Sequence, residues 1–328
     1  MKILAPVTSA REASALIAAG AGELYCGMNP KQWIKNFGQD SWINRRDPGN
    51  ANIPNIQELK RTVDIAHRQD VPVFLALNQC QYPPEQYPLL QSIIQEAQKC
   101  GIDAFIIGDP GLMLFMVENF PGTAIHVSSL AAVLNSSAVH FFKEIGASRI
   151  IFPRYIDLDE LKIIQDKAGR ELEYEVFILN DGCSFEEGFC HVNHAFGGAI
   201  CHRPWSYRLV STSGGDRWSV KESFTKHLKD YQKWLWFVRN CHGGPGPKGH
   251  PVGMCGLCAL PELHSLGVQS LKIVGREAPG GKKIASVKLV KRVMDAVVSG
   301  IEADKVKELA KRIRGTPALC TGYMCYYR

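Results

Sequence analysis

Eight short apolar segments alternate with amphipathic ones along most of the chain, and this alternation constrains the fold more than any other feature. The candidate strands are residues 2–5, 23–27, 71–78, 104–109, 124–129, 149–154, 174–179 and 270–276. Between them, segments 10–20, 56–69, 87–101, 131–146 and 158–169 carry apolar residues at helical spacing. Apolar strands joined by helices form parallel sheets. Eight such units predict an α/β fold, a closed (β/α)₈ barrel of the TIM type. A doubly wound sheet is the alternative, but no Gly-rich phosphate-binding fingerprint follows the first strand.

The alternation is interrupted once, between the seventh and eighth strands. One structural domain therefore has four parts: barrel strands and helices at 1–180, a Cys-rich insertion at 181–262, the final strand and C-terminal helices at 263–314, and a Cys/Tyr tail at 315–328. The first residues contain no secretory h-region, and no apolar run is long enough for a membrane span. We therefore expect a cytoplasmic protein whose thiols stay reduced.

The insertion carries cysteines at spacings that suit a metal centre. Cys183 and Cys190 are followed by Cys201, and then by Cys255 and Cys258 in a Cys-x-x-Cys pair. The chain has an odd number of cysteines, eleven, which argues against a disulfide framework. On spacing alone, an iron–sulfur cluster and a zinc ion explain the pattern equally well.

Polar residues stand where the candidate strands end, and in a barrel the active site lies at the C-terminal ends of the strands. These residues are Asn78, Asp109, His126, Ser128, Arg154 and Arg276. We expect them to converge on one pocket and assign catalytic roles to Asn78, Asp109, His126, Arg154 and Arg276. The Cys-rich insertion begins directly after the seventh strand and ends before the eighth. It should therefore lie on the rim of the same barrel mouth.

Several motifs in order along the chain resemble peptidase family U32, the collagenase-like family. They are LAPVTSAREASALIAAGAGELYCG (4–27), GIDAFIIGDPG (101–111), NDGC (180–183) with EGFC (187–190), and GVQSLKIVGR (267–276). The resemblance covers nearly the whole chain. It implies an oxygen-independent hydroxylase acting on RNA bases or ubiquinone precursors, with a 4Fe–4S cluster on four cysteines and prephenate as oxygen donor. The Lys-Ile-x-Gly-Arg motif has Val274 where the family has an acid.

The resemblance also implies which side chains hold the cluster and the donor. Cys183, Cys190 and Cys201 match the first three cluster ligands, and the fourth is Cys258, Cys255 or Cys241, of which we favour Cys258. Arg154 and Arg276 suit a dicarboxylate such as prephenate, because a guanidinium binds a carboxylate through two parallel hydrogen bonds.

Basic and aromatic residues interleave over 221–240, a pattern that fits an RNA or protein partner. The alternative for this segment is an ordinary amphipathic helix packed on the barrel. We therefore interpret the chain as a hydroxylase-type oxidoreductase. The alternatives are a U32-type peptidase, or a zinc- or cluster-stabilised module that binds RNA or docks a partner.

Overall fold

Eight parallel strands close into a barrel in chain order, which confirms the predicted (β/α)₈ fold. This computed structural model describes residues 1–38, 41–46, 49–183, 187–189, 206–208, 217–241, 253–315, 320 and 324–327. Strands β1 to β8 are Lys2–Pro6, Glu23–Cys26, Val73–Leu77, Ala104–Ile107, Ala124–Val127, Arg149–Ile151, Glu173–Leu179 and Ser270–Ile273. The ring closes where Leu4 of β1 pairs with Lys272 of β8.

Helices connect the strands, and most of them pack on the outside of the barrel. Numbered α1 to α11 in chain order, they are Ala10–Ala18, Lys31–Phe37, Ile56–His67, Tyr87–Lys99, Pro110–Asn119, Ser136–Glu144, Leu158–Ala168, Arg217–Cys241, Leu260–Ser265, Gly280–Val298 and Ala303–Arg314. Helix α6 begins later than the predicted 131–146 because the Asn135 side chain caps it, accepting from the Ala138 N–H at 2.9 Å. None of the described helices combines the length and the apolar character that crossing a membrane requires.

Two apolar cores follow from the alternation of side chains along each strand. One core fills the space between the strands and the surrounding helices. The other lies inside the barrel and takes residues from the strands, such as Leu4, Phe74 and Phe177. Met254, Met324 and Tyr326 join this inner core, although none of them lies on a strand. Segments outside the barrel therefore close part of its interior.

Charged side chains fill the barrel where its strands begin. Arg149 of β6 donates to Glu23 of β2 (Nη2–Oε1, 2.8 Å) and to Glu175 of β7 (Nη1–Oε2, 3.0 Å). Lys272 of β8 donates to the second oxygen of Glu175 at 2.8 Å. Because each of these buried charges has a partner, the network fills the barrel without leaving an isolated ion. Within the described barrel, this leaves the opposite end, where the strands finish, as the place for a site.

Candidate active site at the barrel mouth

The side chain of Arg276, three residues after β8, lies buried at the mouth with one nitrogen unsatisfied. Its Nη2 donates to Oδ1 of Asn44 at 2.9 Å, and the residue is 4% exposed. Its Nη1 is buried and has no hydrogen-bond partner among the described residues. The pKa of Arg276 is lowered to about 10, chiefly by burial and also by the nearby charge of Arg46, against an opposing contribution from Tyr25. A buried guanidinium in this state favours an anion beside it.

Gly27 makes room for this guanidinium. A Cβ at position 27 would lie 1.7 Å from Nη1 of Arg276 and 2.5 Å from Oδ1 of Asn52. Asn52 in turn accepts from Nδ2 of Asn44 at 2.9 Å, so the two asparagines form a fixed amide pair next to Arg276. Because Gly27, directly after β2, has no side chain, the guanidinium of Arg276, after β8, can occupy this position.

A second cation, Arg46, reaches the mouth from the loop between α2 and α3. Its Nη2 lies 2.8 Å from Oδ2 of Asp181, and its Nη1 lies 3.1 Å from Oε1 of Glu277. Although burial opposes the charge, Glu277 and Asp181 raise the pKa of Arg46 above its ordinary value. The charge of Arg46 lowers the pKa of Arg276, and the charge of Arg154 lowers that of Arg46. The three guanidinium groups are therefore electrostatically coupled.

The third cation, Arg154, follows β6 and lies over an aromatic ring. Its Cζ is 3.9 Å from the ring centroid of Phe177, and its Nη1 pairs with Glu187. The carboxylate of Glu187 also accepts from the hydroxyl of Ser129. Burial disfavours the charge, but Glu187, Tyr326 and Cys183 together outweigh it and raise the pKa of Arg154. The Nε of Arg154 is buried without a partner among the described residues.

The other predicted residues have different surroundings. Asp109 caps α5, accepting from the N–H groups of Gly111 (2.8 Å) and Tyr82 (2.9 Å), and burial is the largest cause raising its pKa. Ser128 caps the 3₁₀ turn that follows β5. The side chain of Asn78 accepts from the Arg45 N–H at 3.4 Å. These contacts hold loops that form the rim of the mouth.

His126 lies inside the barrel, paired in the strand ladder with Arg149 of the charged network. Its ring centroid is 4.5 Å from that of Phe74, and its Nδ1 is buried without a partner in the described part of the chain. Burial lowers the pKa of His126 well below its ordinary value, and Arg149 and Lys272 lower it further. The ring is therefore neutral at physiological pH. The structure brings Arg154 and Arg276 together at the mouth and sets His126 beneath them.

The cysteines divide between two places. Cys183, four residues after β7, is half-buried and acts electrostatically on Arg154 at the mouth. Cys258 instead lies against α11, where its Sγ is 4.0 Å from the carbonyl oxygen of Lys307. Cys190 and Cys201 lie outside the described residues, as does the side chain of Cys241. Within the described ranges, no three Cys, His, Asp or Glu side chains are already arranged around one point as metal ligands.

Residues 324–327, a described part of the C-terminal tail (315–328), lie on the β7 side of the mouth. The Tyr326 hydroxyl donates to the backbone oxygen of Asp181 at 3.0 Å, and the Tyr327 hydroxyl donates to that of Phe177 at 2.8 Å. Met324 and Tyr326 are buried. The tail therefore supports the backbone of residues whose side chains hold Arg46 and Arg154.

Sequence reasoning missed the groups that hold the three arginines in place. Arg46 and Asn44 come from a loop with no strand before it, so nothing in the local pattern marked them. Asp181 and Glu187 could have been found, because both belong to the motifs after β7 that carry the cysteines. Their carboxylates are the partners of Arg46 and Arg154.

Known proteins similar to this chain include enzymes that modify RNA. It is 26% identical over 189 residues to the tRNA hydroxylation protein P of Haemophilus influenzae, covering 58% of this chain and 38% of that protein. It is 26% identical over 231 residues to the 23S rRNA 5-hydroxycytidine synthase of Escherichia coli, covering 70% of this chain and 32% of that protein. The alignments therefore span less than half the length of these two relatives.

A third relative matches along almost the whole chain. An uncharacterized protease of Methanocaldococcus jannaschii is 23% identical over 329 residues, covering 96% of this chain and 70% of that protein. The sequence profile of peptidase family U32 matches residues 8–328. With that profile matched from the end of β1 to the last residue, the chain belongs to peptidase family U32.

Proposed function

We propose that this protein hydroxylates a base of RNA without using molecular oxygen, as an oxidoreductase of the U32 family. In this proposal, the arginines at the barrel mouth hold a carboxylate-bearing oxygen donor, for which prephenate is the candidate. A 4Fe–4S cluster on Cys183, Cys190, Cys201 and a fourth cysteine lies beside that donor. Quinone precursors are the second class of acceptor.

One observation carries the proposal: the mouth contains a buried cation that lacks part of its hydrogen bonding. Nη1 of Arg276 and Nε of Arg154 are buried without partners in the described part of the chain. Buried polar atoms in native proteins are nearly always satisfied, so each of these nitrogens has room for an acceptor, which a bound anion or a water would supply. A carboxylate accepts two hydrogen bonds from a guanidinium and neutralises its charge. A dicarboxylate donor fits a mouth with two such groups.

Cys183 supports the cluster part of the proposal. It lies close to Arg154, and a nearby guanidinium favours the thiolate, which is the form that binds metal. Once bound, a 4Fe–4S cluster would supply electron-transfer chemistry at the mouth. The protein's own side chains would hold the donor beside it, with Arg276 and Arg154 on the carboxylates and the inner core excluding water from below. Zinc on the same thiolates is the alternative, which lacks redox chemistry.

The choice of RNA as acceptor rests on two relatives named for RNA hydroxylation and on the surface of α8. Lys226, Lys229 and Lys233 are exposed along the described part of this helix, beside Asp230 and Gln232. Lysines in such a row attract RNA phosphates, and that attraction weakens steeply as salt rises. A protein with an acidic surface is the alternative partner for these lysines.

The test is direct detection of the product. The protein is purified without oxygen, supplied with iron and sulfide, and incubated with RNA and prephenate. The RNA is then digested to nucleosides, and their masses are measured by mass spectrometry. We expect one nucleoside to gain the mass of an oxygen atom, and Arg276→Ala to lose that product. Replacing the three α8 lysines with glutamine should weaken RNA binding and flatten its salt dependence without changing prephenate binding. Lys291→Gln, on α10, is the matched control.

Peptidase activity is the second candidate, because the relative that covers most of this chain is called a protease. Unstructured peptide and gelatin substrates test it with the same preparation. Hydrolysis that persists without cluster and without prephenate, together with unmodified RNA, would replace the hydroxylase proposal with this one.

A further inference from the structure

One buried carboxylate, that of Glu187, joins the cysteine-bearing segment to two neighbouring strand ends. Glu187 begins the 3₁₀ turn Glu187–Phe189 and is 2% exposed. Its Oε2 accepts from the hydroxyl of Ser129, after β5, at 2.5 Å. Its Oε1 accepts from the backbone N–H of Arg154, after β6, at 3.2 Å and pairs with Nη1 of the same residue. The barrel therefore holds both oxygens of this carboxylate.

These contacts make Glu187 a fixed point. A hydroxyl that donates to a carboxylate forms a short, charge-assisted hydrogen bond, which is stronger than a neutral one. Ser129 is buried as well, so water does not compete for the bond. Moving the carboxylate away would leave the Arg154 guanidinium buried without its counter-ion, which is costly. The pair thus differs from an exposed ion pair, which contributes little.

The residue after Glu187 fits against the barrel only because it is a glycine. A Cβ at Gly188 would lie 2.4 Å from Cβ of Ala132 and 3.1 Å from the carbonyl oxygen of Leu130. Both of these residues belong to the 3₁₀ turn that supplies Ser129, or cap it. The two turns therefore pack directly on each other, at a distance that leaves no room for a side chain.

Glu187 also determines which edge of the Arg154 guanidinium is left for a ligand. Nη1 pairs with Glu187, and Cζ lies 3.9 Å from the ring centroid of Phe177, so two contacts hold the group in place. Nε is buried without a partner among the described residues. A guanidinium can bind a carboxylate through two parallel N–H groups, such as those of Nε and Nη2. With Nη1 occupied, that edge remains for the donor.

The same residue stands between two predicted cluster ligands. Cys183 precedes Glu187 by four residues, and Cys190 follows it by three. Cys190 lies outside the described residues, but one peptide bond joins it to Phe189, the last residue of the anchored turn. On the other side of Cys183, an ion pair fixes Asp181 at the mouth. The chain that carries these cysteines is therefore tied to the barrel at Asp181 and again at Glu187.

We propose that Glu187 is a positioning residue that fixes the donor-binding Arg154 relative to the segment carrying the cluster cysteines. One carboxylate that holds both keeps the donor and the cluster in a constant geometry. Groups held in the productive arrangement gain much of their reaction rate from that positioning alone. This role rests on the proposed function, because the donor and the cluster are those of that proposal. It adds a residue that acts on both without having to touch either.

Substitutions where the two turns meet test this role without changing Arg154 or a cysteine. Gly188→Ala should push the anchored turn away from the barrel, because the added Cβ meets that of Ala132. Ala132→Gly should reverse this displacement. It leaves the Leu130 oxygen as the nearest atom, at 3.1 Å, and a shift of a few tenths of an ångström relieves that contact. Ala132 has a φ of 52°, which glycine adopts readily, so its replacement should not disturb folding. Ser129→Ala removes one anchor and keeps the ion pair.

Hydrogen exchange of the backbone amides at 187–189, followed by mass spectrometry in iron-free protein, measures how firmly the turn is held. Calorimetric titration with prephenate measures the effect on Arg154. We expect Gly188→Ala and Ser129→Ala to speed this exchange by about tenfold, since each disturbs a hydrogen bond to a charged group. Both should also weaken prephenate binding severalfold. Adding Ala132→Gly to Gly188→Ala should restore most of both properties.

The reduction potential of the reconstituted cluster gives a third readout, which a loss of stability alone would not move. It should shift in Gly188→Ala and return in the double variant. Ser148→Ala is the matched control, because this hydroxyl donates to the Ile125 oxygen where the strands begin. We expect the control to match the wild type in exchange, prephenate affinity and potential.

Unchanged exchange in both Gly188→Ala and Ser129→Ala would overturn the proposal, because Glu187 would then not anchor the turn. Faster exchange with wild-type prephenate affinity and wild-type cluster potential would also overturn it, since the contact would then serve the fold alone. Losses that Ala132→Gly does not recover would contradict displacement of the turn as their cause. A wild-type protein that binds neither prephenate nor iron would refute the proposed function and this role with it. That failure would be visible before any variant is made.

Discussion

Replacing Gly27 with alanine should displace Arg276 while leaving its charge in the protein. The added Cβ would stand 1.7 Å from Nη1 of Arg276, whereas ordinary contacts begin at 3.4 Å. The atoms it meets are the ends of the flexible Arg276 and Asn52 side chains, so they can move and the barrel should still fold. Gly27→Ala therefore tests whether the position of the Arg276 guanidinium, rather than its charge alone, matters for binding at the mouth.

The size of the effect follows from the distance. The guanidinium must retreat by more than about 1 Å, which is enough to break a hydrogen bond of normal length to the donor. Losing one charge-assisted hydrogen bond costs about 1.5–3 kcal/mol, or roughly tenfold to more than a hundredfold in affinity.

Calorimetric titration with prephenate measures this loss, and urea unfolding shows whether the fold is retained. Gly281→Ala is the matched control, because a Cβ there meets nothing within 4 Å. We expect wild-type affinity in the control and a loss in Gly27→Ala close to that in Arg276→Ala. If Gly27→Ala folds normally and binds prephenate as tightly as the wild type, Arg276 does not hold the donor.

Three further predictions concern the barrel and its tail. Arg149→Met should destabilise the fold by about 3–5 kcal/mol, because it leaves Glu23 buried without its cation; urea unfolding should show partial recovery when Glu23→Gln is added. The unfolded chain protonates His126 near pH 6.5 while the folded ring stays neutral, so stability should fall as pH drops below about 6.5, by up to about 1.4 kcal/mol per pH unit. His126→Gln should remove that slope from the pH series of unfolding curves, and an unchanged slope would contradict the assignment. Tyr326→Phe should cost about 0.5–1.5 kcal/mol through the lost bond to Asp181; equal unfolding midpoints would show that the tail does not support the mouth.

The barrel itself could be predicted because its strands are short apolar runs separated by long amphipathic helices. Helix α5, Pro110–Asn119, escaped prediction because apolar residues such as Leu112, Leu114 and Phe115 follow one another without a polar face. Its opening Asp-Pro-Gly resembles a turn. In the folded chain Asp109 is the N-cap and Pro110 occupies the first helical position, where proline is favoured.

The site was only partly predictable, since position at a strand end does not tell what a side chain contacts. Arg154 and Arg276 stand at the ends of predicted strands 149–154 and 270–276, and this position alone predicted that they lie at the mouth. Whether Asp109 caps a helix or faces the pocket depends on the backbone that follows it, which the strand pattern does not specify. Arg46 reaches the mouth through the fold of a loop, and such long-range placement leaves no trace in local spacing.

The central claim, an iron–sulfur centre beside a cationic donor site, is tested most directly by iron and acid-labile sulfide analysis of protein purified without oxygen. We expect iron and sulfide in equal amounts in the wild-type protein. Both should be lost together in Cys183→Ser and retained in Cys100→Ser. Iron and sulfide that remain absent after anaerobic reconstitution, or that persist in Cys183→Ser, would contradict it.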